Sequence, residues 1–343
     1  MPTAFITGIT GQDGSWLADF LLSKGYKVYG MYVSSTRFDD VHPARYFENI
    51  THLNGRQNFH LLPGNLLDMR SIELALQEAQ PDEIYNLAAQ SQVHKSTKEP
   101  ELTFNVNSYG VDRLLRMAKK VVPGARIYQA STSEMFGNAP APQDENTPFV
   151  PVSPYGEAKL DAHEHITRHR HEGNFSVGGI LFNHESERRG RAFVTRKITH
   201  GLAGIKLGHD KELRLGNLDA KRDWGYAPDY VRAMWLMLQQ KEPNDYVIST
   251  GETHTVREFV EAAAHALDMT IEWSGAGVDE KGIWNGKEII VVDKQFYRPN
   301  EIHTLSGNSA KAQRELKWKP EVTFQQLVKR MAQHDLTMRQ TNG

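Results

Sequence analysis

Residues 3–24 read TAFITGITGQDGSWLADFLLSK, and the order of their parts decides the fold. A short apolar run of strand character leads straight into Gly8, Gly11 and Gly14, spaced G-x-x-G-x-x-G, and an amphipathic helical stretch follows at once. Strand, tight turn and helix in that order open a βαβ unit. Such a turn lets backbone N–H groups approach a pyrophosphate, and the start of the helix adds a favourable dipole. Three glycines alone would be turn residues with no ligand. Their place between the first strand and the first helix is what points to a dinucleotide.

The same rhythm continues outward. KVYGMY, EIYNLAA, RIYQAS and FSVGGIL read as strands, with helical stretches at SIELALQEA, near residues 100–120, and from Pro154 onward, where Ser153 supplies an N-cap. Strands separated by helices predict an α/β protein: a Rossmann-type doubly wound parallel sheet. After about Asn183 the rhythm loosens into short strands and helices such as VREFVEAAAHAL, although PNDYVISTG still reads as a sheet strand. The expected organisation is a dinucleotide-binding domain over 1–183, receiving a strand near 245–250. A smaller, mixed α/β substrate-binding domain over 184–343 is interleaved with it.

Composition narrows the function. The 343 residues carry 40 Lys+Arg against 42 Asp+Glu, a net charge of -2, so no global field exists to hold nucleic acid or an anionic membrane. Small-molecule chemistry is favoured. Cysteine is absent, which removes disulfides, thiol catalysis and cysteine metal sites and fits a reducing compartment. With no signal-like N-terminus and no apolar run of ~18 residues, a cytoplasmic protein is expected.

Three local patterns carry chemistry. The second strand ends in YGMYVSSTRF without an acid before Asp39, so Ser34, Ser35, Thr36 and Arg37 can donate to a 2′-phosphate. NADP is therefore expected, with NAD as the alternative. SPYGEAKL puts Tyr155 and Lys159 four apart on one helix face, where the ammonium is expected to lower the phenol's pKa towards that of a general base. STSEMFG places Glu134 after a run of hydroxyls at a strand end, either facing solvent or at the mouth of a site. Gly8, Ser131 to Glu134, Tyr155 and Lys159 all converge on the carboxyl edge of one sheet. Two other patterns are read as bland. In HEHITRHRHEG, His163, His165, His169 and His171 lack a third ligand, so no metal is expected and a solvated helix face accounts for them. The ESERRGRAFVTRK cluster is assigned to nucleotide phosphates, subunit contact or solvation. Trp224 is assigned to packing, with a sugar contact as the alternative.

Together, TGxxGxxG, NLAAQSQV, STSEMFG, SPYGEAKL, LFNHESERRG, FVTRKI, LGNLDAKRDWGYAPDYVRAMW and YRPNE resemble the GDP-mannose 4,6-dehydratases of the extended short-chain dehydrogenase/reductase superfamily. The likeness runs from about Ala4 to beyond Lys329. It implies a hydro-lyase that takes a GDP-sugar to its 4-keto-6-deoxy product by internal hydride transfer through NADP. Tyr155 would be the base at the 4-hydroxyl and Glu134 the acid/base for elimination. Thr132 would bind the 4-oxygen, Ser133 would order the site and Lys159 would hold the nicotinamide ribose. Cofactor contacts are implied at Gly8, Gly11, Gln12, Asp13 and Gly14, at Ser34 and Arg37, and at Asn65, Leu66, Leu87, Ala88 and Ala89. Asn65 stands where family members usually have an aspartate facing adenine, and its amide carbonyl can accept the same bond. Val33 and Ser34 stand where an Arg-Arg pair is common. Asn183, Lys197, Arg222, Arg298 and Glu301 are implied for the nucleotide sugar, and a homodimer or homotetramer as the assembly. GDP-mannose is the expected substrate. The same dehydration of a GDP-manno-heptose is the alternative, ahead of another nucleotide-sugar dehydratase or epimerase; a one-step reductase or epimerase needs no carboxylate beside the threonine, so Glu134 speaks against those.

Overall fold

In a computed structural model, the structure describes residues 1–34, 46–296 and 304–341. Its centre is a seven-stranded sheet. Six of the strands are β1 (Thr3–Thr7), β2 (Lys27–Tyr32), β3 (Phe59–Pro63), β4 (Glu83–Asn86), β5 (Arg126–Thr132) and β6 (Ser176–Leu181), and the seventh is Tyr246–Ile248. The spatial order is Tyr246–Ile248, β6, β5, β4, β1, β2, β3. Every pairing is parallel. The strands read as near-continuous apolar runs because both faces are covered. Along β1, Ala4 and Ile6 enter one core and Phe5 the other, the period-2 alternation of a strand buried on two sides.

The chain runs outward from β1 through β2 to β3, then returns to lay β4 on the other side of β1. That reversal leaves a crevice beyond the carboxyl ends of β1 and β4, the place where such sheets bind ligands. Here the backbones press together. Thr7 Oγ1 donates to Asn86 Oδ1 (2.6 Å) and accepts from the N–H groups of Leu87 (3.1 Å) and Ala88 (3.0 Å).

A second core joins the helices Val194–Lys206, Val256–Ala266 and Phe324–Thr341 to strands Leu213–Leu215 and Lys287–Val292. The helix Ala227–Leu238 follows part of that unit in sequence yet packs on the main sheet, through Tyr230, Val231 and Met234. The chain therefore crosses between the two cores more than once, and the crossings frame the cleft between them.

Two patterns differ from their expected places. The four histidines of residues 163–171 do not share a solvated face. His163 and His169 are buried and bonded to Ser131 and Ser176, because that side of the helix Pro154–His171 packs on β5 and β6. Solvation also fails to describe the arginine cluster. Arg188 pairs with Asp19 and lies over Trp16, Arg189 pairs with Glu185 and lies over Phe193, and Arg196 is buried against Asp335.

Candidate active site

At the end of β5 the backbone enters a single 3-10 turn, Ser133–Met135, and Ser131 to Glu134 are all buried. Glu134, at 9 % exposure, is not a solvent-facing decoration. The helix Pro154–His171 starts beside this turn. Ser153 caps it by accepting from the Gly156 N–H (3.1 Å), with Pro154 in the first turn. Gly156 lets the helix sit hard against the turn, since a Cβ there would come within 2.8 Å of the Glu134 carbonyl oxygen. The Tyr155 phenol reaches the Thr132 hydroxyl. Lys159 Nζ donates to the Ala130 carbonyl (2.9 Å) and lies 5.9 Å from the centre of the Tyr155 ring.

The electrostatics reverse the expected direction for the tyrosine. Burial, and next the Glu134 carboxylate, push the Tyr155 phenol up to about 12, outweighing its bond with Thr132. Burial brings Lys159 down to about 8, with Asp13 opposing the shift. A lysine lowers a neighbouring phenol only where their attraction exceeds the cost of desolvating the phenolate. Here the ammonium is spent on a neutral carbonyl. Tyr155 therefore carries its proton in this structure.

Across the cleft, Gly8 adopts φ +70°, and a Cβ on it would strike the Ala88 nitrogen at 2.9 Å. At Gly14 a Cβ would come 2.3 Å from the Gly8 carbonyl oxygen, so only glycine lets helix α1 (Gln12–Ser23) approach β1 this closely. Gly11 stands at the N-cap of α1 without a side-chain capping bond. This bare cradle, pointing helix N–H groups into the switch-point crevice, fits the diphosphate of a dinucleotide. Leu87, Ala88 and Ala89 come against it after β4. Asn65 follows β3, where its Oδ1 accepts from the Leu67 N–H (3.0 Å), while Leu66 buries its side chain in the core. Ser34 is exposed just beyond β2. Arg37, with Ser35 and Thr36, and likewise Arg298 and Glu301, lie outside the described residues.

One cavity of about 710 Å³ gathers Asp13, Leu87, Ala89, Thr132, Ser133, Glu134, Tyr155, Lys159, Asn183, Lys197 and Arg222 along its wall. Gly8, Gly11, Gln12, Gly14, Asn65, Leu66 and Ala88 are not part of that wall. On the substrate side, Asn183 opens a short strand, Asn183–Glu185, paired with Trp224–Tyr226. Arg222 is 8 % exposed on the adjoining Lys221–Arg222 strand. Lys197 lies 3.5 Å from the centre of the Phe296 ring, and burial lowers its pKa. Trp224 borders the cavity as well, yet it is 2 % exposed and packs on Phe259 and Phe324.

Sequence reasoning missed a half-buried pair in the same wall. His184 Nε2 lies 2.8 Å from Asp13 Oδ2, and its Nδ1 2.8 Å from the Phe182 carbonyl. Gln12 ties the pair down, donating to Asp13 Oδ1 and to the His184 carbonyl, both at 3.0 Å. Although burial opposes both charges, each partner stabilises the other: Asp13 is held below its ordinary value and His184 above. Arg189 borders the cavity beside them. The signal available was NHE directly after a buried strand, three polar residues where the chain leaves the sheet. Among the described residues no cluster of His, Asp and Glu could hold a metal ion, and no helix is long and apolar enough to cross a membrane.

Solved structures share this architecture. A dTDP-glucose 4,6-dehydratase from Bacillus anthracis, in complex with NAD, superposes with a TM-score of 0.80 over 99% of this chain and 98% of that one, at 20% identity. RMD from Pseudomonas aeruginosa, complexed with NADPH, does so with a TM-score of 0.74 over 98% and 99%, at 21% identity. These likenesses show a shared Rossmann-type fold. Sequence gives the family. The profile of the GDP-mannose 4,6 dehydratase family matches residues 5–331. GDP-mannose 4,6 dehydratases from Cricetulus griseus and Homo sapiens are each 48% identical over 99% of this chain and 92% of their own length. One from Vibrio cholerae is 44% identical over 99% and 95%. The chain belongs to the GDP-mannose 4,6 dehydratase family.

Proposed function

We propose that this protein is a nucleotide-sugar hydro-lyase that converts GDP-mannose to GDP-4-keto-6-deoxymannose with loss of one water. The observation that carries the reading is the buried Glu134 carboxylate beside Tyr155, because oxidation at C4 needs only the tyrosine, whereas elimination needs a second acid/base. NADP, when bound, supplies a hydride acceptor for C4 and a hydride donor for C6, and its ring charge favours anionic groups near it. Once ionised to the phenolate, Tyr155 takes the 4-hydroxyl proton, steadied by Thr132, which hydrogen-bonds the 4-oxygen. The 4-ketone makes the C5 proton acidic; Glu134 removes it and delivers a proton to the departing 6-hydroxyl, and a proton finally returns to C5. The Lys159 ammonium, present below about pH 8, is the cation by which this chain offsets a phenolate charge. Ser133 orders the turn.

Gly8, Gly11 and Gly14 would hold the cofactor diphosphate, with Gln12 and Asp13 as further cofactor contacts. Leu87, Ala88 and Ala89 would flank it, Asn65 and Leu66 would meet the adenine, and Lys159 with Tyr155 the nicotinamide ribose. NADP rather than NAD follows from the missing acid after β2, leaving Ser34 and Arg37 for a 2′-phosphate. Identifying the nucleotide released on denaturing the purified protein decides between them. Asn183, Lys197, Arg222, Arg298 and Glu301 would hold the GDP-sugar, with arginine forks on its diphosphate. A cytoplasmic homodimer or homotetramer is the assembly that fits the reading, checked by light scattering.

The test is a substrate panel read by mass spectrometry. GDP-mannose should lose water with a higher kcat/KM than GDP-manno-heptose. A heptose preference would reassign the substrate, and no water loss from either would sink the dehydratase reading. Glu134→Gln should cripple elimination while cofactor and GDP-sugar binding stay near wild type.

A further inference from the structure

Behind the cavity lies a buried titratable cluster that the proposed chemistry does not use. On the helix Pro154–His171, His163 follows Tyr155 by eight residues and Lys159 by four, so the three share one face. Each grips the end of β5. Tyr155 reaches Thr132, Lys159 the Ala130 carbonyl at 2.9 Å, and His163 Nδ1 the Ser131 hydroxyl at 2.9 Å. The imidazole is 7 % exposed. Its Nε2 lies 3.6 Å from Asp245 Oδ2, and Asp245 Oδ1 accepts from the Gly178 N–H (2.6 Å) and from Arg170 Nη2 (2.5 Å).

The Asp245 carboxylate, 3.6 Å from Nε2, electrostatically favours a proton there, and in that tautomer Nδ1 accepts from the Ser131 hydroxyl. Asp245, Arg170 and Glu164 are the charged groups acting on it, and burial keeps its pKa below the ordinary histidine value. Phe149 packs edge-on at 5.6 Å. The space is reserved for a ring: a Cβ at Gly178 would lie 2.7 Å from the His163 Cε1 and Nδ1 atoms and 2.9 Å from Asp245 Oδ1.

We propose that His163 is a positioning residue for the dehydration: through Ser131 it fixes the end of β5, and with it the Thr132 hydroxyl and the Glu134 turn, against Tyr155 and Lys159. This rests on the dehydratase reading for what it positions. Loss of the bond frees the strand end to shift by a fraction of an ångström. Misplacement on that scale lowers kcat without weakening a GDP-sugar held by distant groups.

The variants are His163→Leu, His163→Asn, which returns an acceptor near the Nδ1 position, and Ser131→Ala. His163→Leu should lower kcat roughly ten- to a hundredfold with KM for GDP-mannose nearly unchanged. The asparagine should recover most of the rate. Ser131→Ala should match the leucine variant, and the double variant should add little, as expected for two halves of one contact. In the ligand-free proteins, hydrogen exchange should quicken at residues 131–135 in His163→Leu and in Ser131→Ala. Wild-type kcat in Ser131→Ala, a KM rise that accounts for the whole loss, or unchanged exchange would each overturn the proposal. If His163→Leu does not fold, Ser131→Ala decides alone. A wild type inert towards GDP-mannose would count against the dehydratase reading instead, and the exchange comparison would then decide this one.

Discussion

Two acid–base pairs share one cavity and end in opposite states. Asp13 and His184 sit 2.8 Å apart, and further bonds to Gln12 and the Phe182 carbonyl support each charge. Attraction there exceeds the cost of burial, lowering the aspartate's pKa and raising the histidine's. Tyr155 and Lys159 are just as enclosed. Yet the lysine bonds a neutral carbonyl, and its nitrogen is 5.9 Å from the ring centre, so desolvation prevails and drives both towards neutrality. Burial alone does not set the charge state; the distance and charge of the nearest partner do. Tyr155 and Lys159, whose charged forms burial disfavours, can exchange protons with a substrate, whereas Asp13 and His184 are held ionised.

Breaking the Tyr155–Lys159 pair should have the largest effect. Tyr155→Phe should lower kcat by about 10²–10⁴, with the melting temperature close to wild type and GDP-mannose binding by calorimetry nearly unchanged. A loss of binding in place of rate would erase the contrast.

Breaking the ionised pair should instead cost stability. Asp13→Asn removes the counter-ion, so the enclosed imidazole gives up its proton and a charge-assisted hydrogen bond is lost, which should destabilise the fold by about 1–3 kcal/mol in denaturant unfolding. Asp13 is depressed in the fold, so its contribution is present above the unfolded value of ~3.9 and lost as pH falls below it. His184 is raised, so its contribution is complete below ~6.5 and lost as pH rises through its folded value. The pair should therefore stabilise most between roughly pH 4 and 6.5. An Asp13→Asn/His184→Asn double variant should flatten that maximum in a plot of melting temperature against pH.

Lys159→Met sharpens the comparison by separating function from stability in one residue. The folded lysine titrates near 8 against 10.5 ordinarily, so its burial penalty is complete below pH 8 and relieved as pH rises towards 10.5. Methionine should raise stability at neutral pH by on the order of 1–3 kcal/mol while lowering activity. A variant that is both less stable and fully active would contradict the assignment. The smallest effect is expected at the helix cap, where Ser153→Ala should cost about 1 kcal/mol in denaturant unfolding and change kcat only slightly.

What the sequence made legible was local. The strand–turn–helix of residues 3–24 and the Ser153 cap with Tyr155 and Lys159 depend on neighbours within a few positions, and their backbone requirements show as glycine, proline and serine at fixed spacing. The Asp13–His184 pair joins residues 171 positions apart, and no spacing rule reaches that far. The direction of the Tyr155 shift depends on enclosure by several elements and on where Lys159 sends its proton, neither of which a helical wheel records. His163 and His169 sit in HEHITRHRH, whose apolar face is too thin to betray which side is buried. Trp224 settles against Phe259 and Phe324, partners drawn from two distant helices.

The most direct test of the whole account uses GDP-mannose carrying deuterium at C4. Incubated with the holoenzyme and followed by mass spectrometry and NMR, the product should lack one water and carry the deuterium at C6. A product that keeps all its oxygens, or deuterium released to solvent, would contradict elimination by Glu134 within an internal hydride relay.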